Sequence, residues 1–309
     1  MAHIKAFGAY LPGRVVSNQE IARIANCDAA WIAEVSGIQQ RRFAAEAETV
    51  ARMGELAARD CLHRAGVKAL ELGAVIMASG TGERRFPGPA CQLAHALGLE
   101  AAPALDLPMA SAGSLFALAL ASDLSARFGN VLVVAAEKMS AAVLGAPVDK
   151  NVAVLFGDGA GACLVSPADG PGRIAASVLH TDGAFAESLR LEFGCPLRMD
   201  GRTVILQACR KLPRAILEVL AAGGRQPANV DVYLMHQANR NLTVRVAQSL
   251  GVPEQKFYSN IERYGNTSSA SLLIAACEWW SGNGFRPGSG VVLAAFGAGF
   301  HWGAMLVEG

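Results

Sequence analysis

The pattern of apolar and polar positions predicts alternating helices and strands, and the same order of elements occurs twice. In the first half it predicts a helix, two strands, a helix and a strand over 49–65, 74–78, 104–107, 114–126 and 131–136. In the second half the same order recurs over 208–222, 230–235, 257–260, 270–280 and 290–295. A further turn and helix follow the first strand of each half. Such alternation predicts parallel sheets covered on both faces, and the duplication predicts two such layers about a pseudo-twofold axis.

The size and composition of the chain fit a large buried core in two parts. Its 309 residues are 52% hydrophobic and 17% charged, which excludes a disordered or fibrous protein. This length exceeds that of a usual single core, so we predict an α/β protein of two packed halves, 1–165 and 166–309. Lys and Arg number 27 against 26 Asp and Glu, a balance that predicts no nucleic-acid or membrane partner.

Two segments bear on where the protein resides. The stretch 287–307 has no Asp, Glu, Lys or Arg and is long enough to span a membrane. Its five glycines and β-branched start instead predict a strand, a tight turn and a second strand. Because the N-terminus lacks the apolar run of a signal peptide, we expect a cytoplasmic protein.

Seven cysteines are scattered singly along the chain, and none forms a Cys-X-X-Cys pair. Their odd number and wide spacing predict neither a disulfide framework nor a zinc site. We expect most of them to be small core residues.

Three side chains suited to acyl transfer lie on turns that lead from a predicted strand into a helix: Ser111, His236 and Asn266. Taken singly, each is more typical of a capping or core residue. The three turns, however, occupy equivalent ends of the two halves, where open α/β sheets bind their ligands. We therefore predict one site in which Ser111 is the nucleophile, His236 moves protons and Asn266 holds an oxyanion.

Two glycine-rich segments could lie near this site. The turn at 297–299 follows a predicted strand and can bring the backbone N–H of Ala298 close to a ligand, as a second oxyanion donor. The segment LFGDGAGACLV at 155–165 is similar to a dinucleotide-binding loop. No ribose-binding acid follows it in a βαβ context, so we interpret it as a tight turn packed near the site.

These motifs together resemble the β-ketoacyl-acyl-carrier-protein synthase III family of the thiolase superfamily. The resemblance runs nearly end to end, through GAYLPGRVVSN at 8–18, WIAEVSGIQQRR at 31–42, FPGPACQ at 86–92, FGDGAGA at 156–162, HQAN at 236–239, GNTS at 265–268 and FGAGFHWG at 296–303. It implies a thiolase fold, a duplicated five-layer αβαβα architecture in a homodimer. It also implies acyl-CoA and acyl-carrier protein as substrates, with no resident cofactor and no metal.

The resemblance implies a reaction in which an acyl group is loaded on a Cys and then condensed with decarboxylating malonyl-carrier protein. His236 and Asn266 match the family's decarboxylation pair, and the backbone N–H groups of Ser111 and Ala298 match its oxyanion hole. Phe86 matches a residue that reaches across the dimer to shape the partner's acyl pocket. The candidates for the lining of this pocket are Phe86, Met109 and Leu144.

The chain departs from the family at the nucleophile, because Ser111 occupies the position of the Cys. A thiol near a helix N-terminus is readily a thiolate, whereas Ser needs a base during attack, and its oxyester is a poorer acyl donor to a carbanion. Three explanations stay open: a natural Ser, as in polyketide-pathway relatives that transfer starter units; an engineered replacement of a native Cys; or a chain that has lost condensation.

The predicted substrate tunnel also departs from the family. Trp31 matches an adenine-stacking Trp, but Val35 and Lys150 stand where two Arg are expected, and Lys lacks the planar fork of Arg. This favours a carrier-protein-bound or otherwise unusual acyl donor. Five cations near the tunnel mouth are candidates for an acidic carrier protein's docking surface, with a solvated basic face as the alternative: Arg210, Lys211, Arg214, Arg240 and Arg245.

Three functions follow from these observations. The first is a synthase III-type enzyme that loads and condenses acyl groups. The second is a Ser-dependent acyltransferase that transfers an acyl group to an alcohol, an amine or a carrier thiol without condensation. The third is a non-catalytic partner subunit of a condensing enzyme, which the intact His236 and Asn266 argue against.

Overall fold

Five strands from each half of the chain form one ten-stranded mixed sheet. The computed structural model describes residues 2–309. Its strands are β1 His3–Tyr10, β2 Arg14–Ser17, β3 Gln40–Phe43, β4 Leu72–Ala78, β5 Ala104–Leu107, β6 Asn130–Lys138, β7 Asp158–Ser166, β8 Gly172–Thr181, β9 Leu189–Arg190, β10 Arg198–Met199, β11 Val232–Met235, β12 Phe257–Tyr258, β13 Gly290–Gly297 and β14 His301–Glu308. The strand order of the large sheet is β12-β11-β13-β14-β8-β1-β7-β6-β4-β5.

The helices lie between these strands in the order that the sequence pattern predicts. They are α1 Asn18–Ala25, α2 Ala29–Ser36, α3 Val50–Ala65, α4 Pro89–Ala96, α5 Gly113–Phe128, α6 Met139–Val143, α7 Lys150–Ala153, α8 Gly201–Ala222, α9 Arg240–Leu250, α10 Ile261–Tyr264 and α11 Ala270–Gly282. Each predicted helix and strand of the two half-patterns is present, with ends shifted by a few residues. The largest shift is that of α8, which begins at 201 rather than 208.

The two halves of the sheet repeat one another. The order β5-β4-β6-β7-β1 corresponds strand by strand to β12-β11-β13-β14-β8. The two sets join only through β1 and β8, which pair at two positions, His3 with Arg173 and Ile4 with Gly172. This confirms the predicted duplication, whereas the boundary at 165/166 stays a prediction.

Three apolar clusters show that the elements stack in five layers. Helices α3 and α4 cover the outer face of the first five strands. Helices α8 and α9 cover the outer face of the second five. Between the two sets lie α5 and α11, whose side chains form the central cluster with the inner faces of both. The αβαβα layering implied by the resemblance is therefore present.

The strands of the two half-patterns are parallel to one another as predicted, but the sheet is mixed, because the other strands of each half run antiparallel to their neighbours. In the first half β4, β5 and β6 are parallel, but β7 is antiparallel to both β6 and β1. All but the last residue of β7 lies within the segment 155–165, which we interpreted as a tight turn. All nine of its residues are buried, and its glycines allow α11 to approach closely, so it does not behave as a loop.

The apolar stretch 287–307 folds as predicted. It forms most of the antiparallel pair β13 and β14, with a turn between them. Among residues 2–309, no helix is long and apolar enough to cross a membrane.

The cysteines are less buried than expected. Cys61, Cys163 and Cys277 are core residues, but Cys91 and Cys195 are exposed and the other two are partly buried. All seven are free thiols, and residues 2–309 contain no cluster of three potential metal-ligating side chains.

The approach of α11 to β7 gives a test of the packing. A Cβ on Gly161 would lie 2.5 Å from the Cβ of Leu273 and 3.0 Å from the backbone nitrogen of Ile274. We expect Gly161→Ala to lower the free energy of unfolding by about 1–3 kcal/mol, because the added methyl overpacks the core. Gly13→Ala is the control, since a Cβ there meets nothing within 4 Å. Equal urea midpoints for the two variants would contradict this prediction.

Candidate active site

The three turns predicted to carry chemistry meet at one cavity. Ser111 lies between β5 and α5, His236 follows β11, and Asn266 lies between α10 and α11. All three line a cavity of about 510 Å³. They meet because α5 and α11 pack side by side in the central layer, which brings the N-terminal ends of these helices to the carboxyl end of β11.

Ser111 is held in an unusual backbone conformation. Its φ of 60° lies in the left-handed region, which is uncommon for a residue with a Cβ. The side chain is buried, and the backbone N–H donates to Ser268 Oγ at 3.0 Å. Gly297 packs against this turn, and a Cβ there would lie 2.9 Å from Ser111 Cβ and 2.4 Å from the carbonyl oxygen of Ala110. The position of Ser111 therefore requires glycine at 297.

His236 is a buried imidazole with a fixed orientation. Its Nδ1 lies 2.5 Å from Ser271 Oγ, which also accepts the Gln237 backbone N–H at 3.1 Å. Burial lowers the pKa of His236 to about 4, against a smaller rise caused by a backbone hydrogen bond with Ser268. At neutral pH the ring is therefore uncharged, and it can either accept a proton or donate its single N–H.

Asn266 is fixed through its backbone and its side chain. Its backbone N–H donates to the carbonyl of Leu155 at 2.9 Å, and its carbonyl accepts from the N–H of Gly157 at 3.0 Å. The side-chain Oδ1 accepts the Ser268 N–H at 2.8 Å, which leaves the Nδ2 group as the end that can donate to a ligand. The segment 155–157 thus lies near the site as expected, although β7 follows it.

A second, smaller cavity of about 50 Å³ lies against Ser111. Ala298, on the turn between β13 and β14, lines it together with Ser111 and Ser268. The predicted oxyanion donors are the N–H groups of Ser111 and Ala298, two residues that border the same space, but in this structure the Ser111 N–H is donated to Ser268 Oγ. Their role as a pair stays a prediction. The apolar walls of the small cavity are Met139, Phe156, Leu189, Leu191 and Leu197.

The candidates for the acyl pocket lie elsewhere in the described chain. Phe86 is 84% exposed, and Met109 and Leu144 border neither of the two cavities at Ser111. Leu144 packs instead between two peripheral apolar clusters. Four apolar residues that do line the small cavity lie in segments without a distinctive motif and were therefore not predicted: Met139, Leu189, Leu191 and Leu197.

The large cavity contains the predicted tunnel residues Trp31 and Val35 in its lining. Lys150 lies beside it, with Nζ 5.7 Å from the centre of the Trp31 ring. The charged side chains in the lining are Asp149, Asp200 and Arg202. The cavity therefore has few cations to meet a phosphate group.

Four of the five predicted docking cations are exposed: Arg210, Arg214, Arg240 and Arg245. Arg240 lies 3.6 Å from Glu254 in an ion pair. Lys211 is different, since its Nζ pairs with Asp182 at 2.6 Å and lies 4.0 Å from the centre of the Trp302 ring. Lys211 and Arg240 therefore have partners within the chain, whereas Arg210, Arg214 and Arg245 present charge to solvent.

Glu137, a carboxylate at the end of β6 that is 0% exposed, was not among the predicted site residues. It accepts hydrogen bonds from two groups of residues, 79–81 and 268–269. Burial raises its pKa, and hydrogen bonds from Ser269 and Thr81 act against this rise. The signal in the sequence was an acidic residue at the end of an apolar strand. It did not indicate a site residue, because the hydrogen-bond partners of Glu137 are distant in sequence.

Comparisons with known proteins cover the whole chain. The family model of 3-oxoacyl-[acyl-carrier-protein] synthase III matches residues 105–183, and the model of the C-terminal part of that enzyme matches 220–308. A β-ketoacyl-[acyl-carrier-protein] synthase III from Oleidesulfovibrio alaskensis is 36% identical over 327 residues, which span 99% of this chain and 98% of the relative.

Solved structures give the same result. The crystal structure of 3-oxoacyl-[acyl-carrier-protein] synthase III from Aquifex aeolicus VF5 superposes with a TM-score of 0.95 at 35% identity, covering 100% of both chains. The priming β-ketosynthase of the R1128 polyketide biosynthetic pathway superposes with a TM-score of 0.92 at 32% identity, covering 100% of this chain and 96% of the other. With this thiolase fold and these relatives, the chain belongs to the β-ketoacyl-acyl-carrier-protein synthase III family of enzymes.

Proposed function

We propose that the protein loads an acyl group onto Ser111 and condenses it with malonyl-carrier protein. The observation that carries this proposal is the convergence of Ser111, His236 and Asn266 on one cavity in a member of this family. The acyl donor is acyl-CoA or acyl-carrier protein, as the names of the relatives suggest for the carrier. The reaction needs no resident cofactor and no metal.

In the loading step, Ser111 Oγ attacks the thioester carbonyl while His236 takes the hydroxyl proton. The negative charge that forms on the carbonyl oxygen is stabilised by the N–H of Ala298 and by the N–H of Ser111, which exchanges its hydrogen bond to Ser268 Oγ for one to this oxygen. The carbon–sulfur bond then breaks, and the leaving thiol takes the proton from His236. The products are an oxyester on Ser111 and a free thiol.

In the condensation step, the malonyl thioester loses its carboxylate as carbon dioxide. The resulting enolate is stabilised by hydrogen bonds from His236 and from Asn266 Nδ2. Its carbon attacks the acyl carbonyl, the ester bond to Ser111 breaks, and a proton from solvent restores the Ser hydroxyl. The product is a β-ketoacyl group on the carrier protein.

Ser111 itself favours a second candidate function, acyl transfer without condensation. An oxyester is a poorer acyl donor to a carbanion than a thioester. If a hydroxyl, amine or thiol accepts the acyl group instead, no carbanion has to attack the oxyester. Product formation without loss of carbon dioxide from malonyl-carrier protein identifies this function, whereas carbon dioxide release at every turnover excludes it.

We also propose that two copies of the chain form a homodimer that completes the acyl pocket. The edge strand β5 has unpaired backbone groups, which is a template for pairing with a second copy. Phe86 is 84% exposed, and a cavity of about 540 Å³ lined by Leu191 and Phe193 adjoins the small cavity at Ser111. The partner's Phe86 would fill this space.

The four exposed arginines Arg210, Arg214, Arg240 and Arg245 lie on α8 and α9, which both contribute to the lining of the large cavity. We propose that they meet an acidic carrier protein at this face, because charge complementarity steers such encounters.

Acylation of Ser111 is the direct test of the proposed function. Incubation with acyl-CoA or acyl-carrier protein should add one acyl mass to the intact protein, and Ser111→Ala should abolish the adduct. Ser111→Cys should form the adduct and condense faster, because a thioester is the better acyl donor. If neither the protein nor Ser111→Cys forms an adduct or a product, the proposal is wrong and a non-catalytic subunit is the remaining explanation.

The pH dependence of loading tests the role of His236. The neutral ring is the form that accepts a proton, and the folded-state pKa is about 4 instead of the ordinary 6.5. We therefore expect the single-turnover acylation rate to stay constant from pH 8 to about pH 6 and to fall only toward pH 4. Intact mass spectrometry gives the rate, and circular dichroism at each pH checks folding. A fall centred near pH 6.5 would contradict the expected ionisation.

The homodimer is tested by substitution of its exposed aromatic residue. We expect light scattering to give twice the chain mass for the unmodified protein, and Phe86→Asp to raise the dissociation constant of the dimer, because it replaces an apolar ring with a charged group in a cavity that also contains Glu83 and Glu192. Leu70→Asp is the matched control, since Leu70 is 79% exposed on a different turn. Equal dissociation for both variants excludes this interface.

A further inference from the structure

Ser268 contacts all three residues of the proposed site. Its Oγ accepts the Ser111 backbone N–H at 3.0 Å, and its own N–H donates to Asn266 Oδ1 at 2.8 Å. Its backbone also hydrogen-bonds the His236 imidazole. Ser268 is 1% exposed, so water does not compete for these bonds.

Ser268 is in turn held by the buried carboxylate of Glu137. The Ser268 hydroxyl donates to Glu137 Oε1 at 3.0 Å, and Ser269 Oγ donates to the same oxygen at 2.6 Å. The hydrogen of Ser268 Oγ is therefore committed to Glu137, and its lone pair faces the N–H of Ser111. The Ser268 hydroxyl thus links the Glu137 carboxylate to the backbone of Ser111 through two hydrogen bonds.

Glu137 also joins the two halves of the molecule at this point. Its other oxygen accepts from Thr81 Oγ1 at 2.6 Å and from the Gly80 N–H at 3.0 Å, both in the first half. Ser268 and Ser269 lie in the second half. Because Ser111 lies in the first half and His236 and Asn266 in the second, the carboxylate fixes the relative position of the two parts of the site.

The backbone conformations at both ends of this link are strained. Ser111 has φ of 60° and Ser268 has φ of 47°, although neither is glycine. Left-handed backbone is unfavourable for a residue with a Cβ, so it persists only where surrounding contacts hold it. The hydrogen bond between these residues and the anchor at Glu137 are such contacts.

We propose that Glu137 and Ser268 form a positioning pair that sets the geometry of Ser111 against His236 and Asn266. The inference rests on the proposed function for its effect on rate. Neither residue transfers a proton to the substrate or forms a covalent bond with it. Both act by holding the backbone of the nucleophile against the residues of the second half before the acyl donor binds.

Kinetics of Ser268→Ala and Glu137→Gln test this pair. We expect kcat for acylation to fall about 10²-fold in each, because a displacement of about 1 Å is enough for such a loss, while KM for the acyl donor stays unchanged. Ser125→Ala is the matched control. It removes another serine hydroxyl that is 2% exposed and donates to the carbonyl of Ser122, and it should keep the original kcat.

The double variant separates a pair from two independent contributions. If Glu137 acts through Ser268, Glu137→Gln combined with Ser268→Ala should be no slower than the slower single variant. If the kcat of the double variant falls by the product of the two single losses, Glu137 and Ser268 act independently and the pairing is wrong. An unchanged or increased kcat in Ser268→Ala would overturn the positioning role.

Hydrogen exchange gives a readout that does not require activity. We expect the amide of Ser111 to exchange faster in Ser268→Ala and in Glu137→Gln, but not in Ser125→Ala. Equal protection in all variants overturns the inference even if the enzyme is active. Absence of an acyl adduct on the unmodified protein, with faster exchange in the variants, would instead remove the proposed function and leave the positioning role.

Discussion

The burial of α5 and α11 between the two sheet halves is the constraint on which the molecule depends. Nine of the thirteen residues of α11 are buried, and α5 is similarly apolar on more than one side. A helix that is apolar around most of its surface is stable only when it is covered on both sides. Each half of the sheet packs against one side of these helices, so both halves must contact the same pair of helices. The turns that precede these helices are thereby brought into the interior.

The position of these helix ends also explains the chemistry of the site. Polar groups there are surrounded by apolar layers, which favours hydrogen bonds to other groups of the protein, although Ser114 Oγ on α5 has none within residues 2–309. Glu137 is satisfied by hydroxyl and N–H groups from both halves. His236 remains uncharged, because burial lowers its pKa to about 4. A densely hydrogen-bonded site of this kind is rigid, which suits a reaction that depends on alignment.

A neutral imidazole is consistent with a serine nucleophile. A cysteine can react as a preformed thiolate, whereas a serine transfers its proton only during attack and needs an uncharged base at that moment. His236 meets this requirement throughout the neutral pH range. In the proposed loading step its low basicity limits the rate of proton removal, so that step depends more on the alignment of Ser111 and on stabilisation of the oxyanion.

The sequence by itself determined the duplicated order of helices and strands and the turns at Ser111, His236 and Asn266. Local periodicity and strand-end turns are properties of neighbouring residues, and they are visible without a fold. It did not predict the strand β7, because glycine-rich segments are typical of turns. Here the glycines leave room for Leu273 of a helix that is distant in sequence. Nor did the sequence reveal Glu137, the lining of the small cavity or the partners of Lys211. These depend on contacts between segments far apart in the chain, which only the packing of the two halves around α5 and α11 creates.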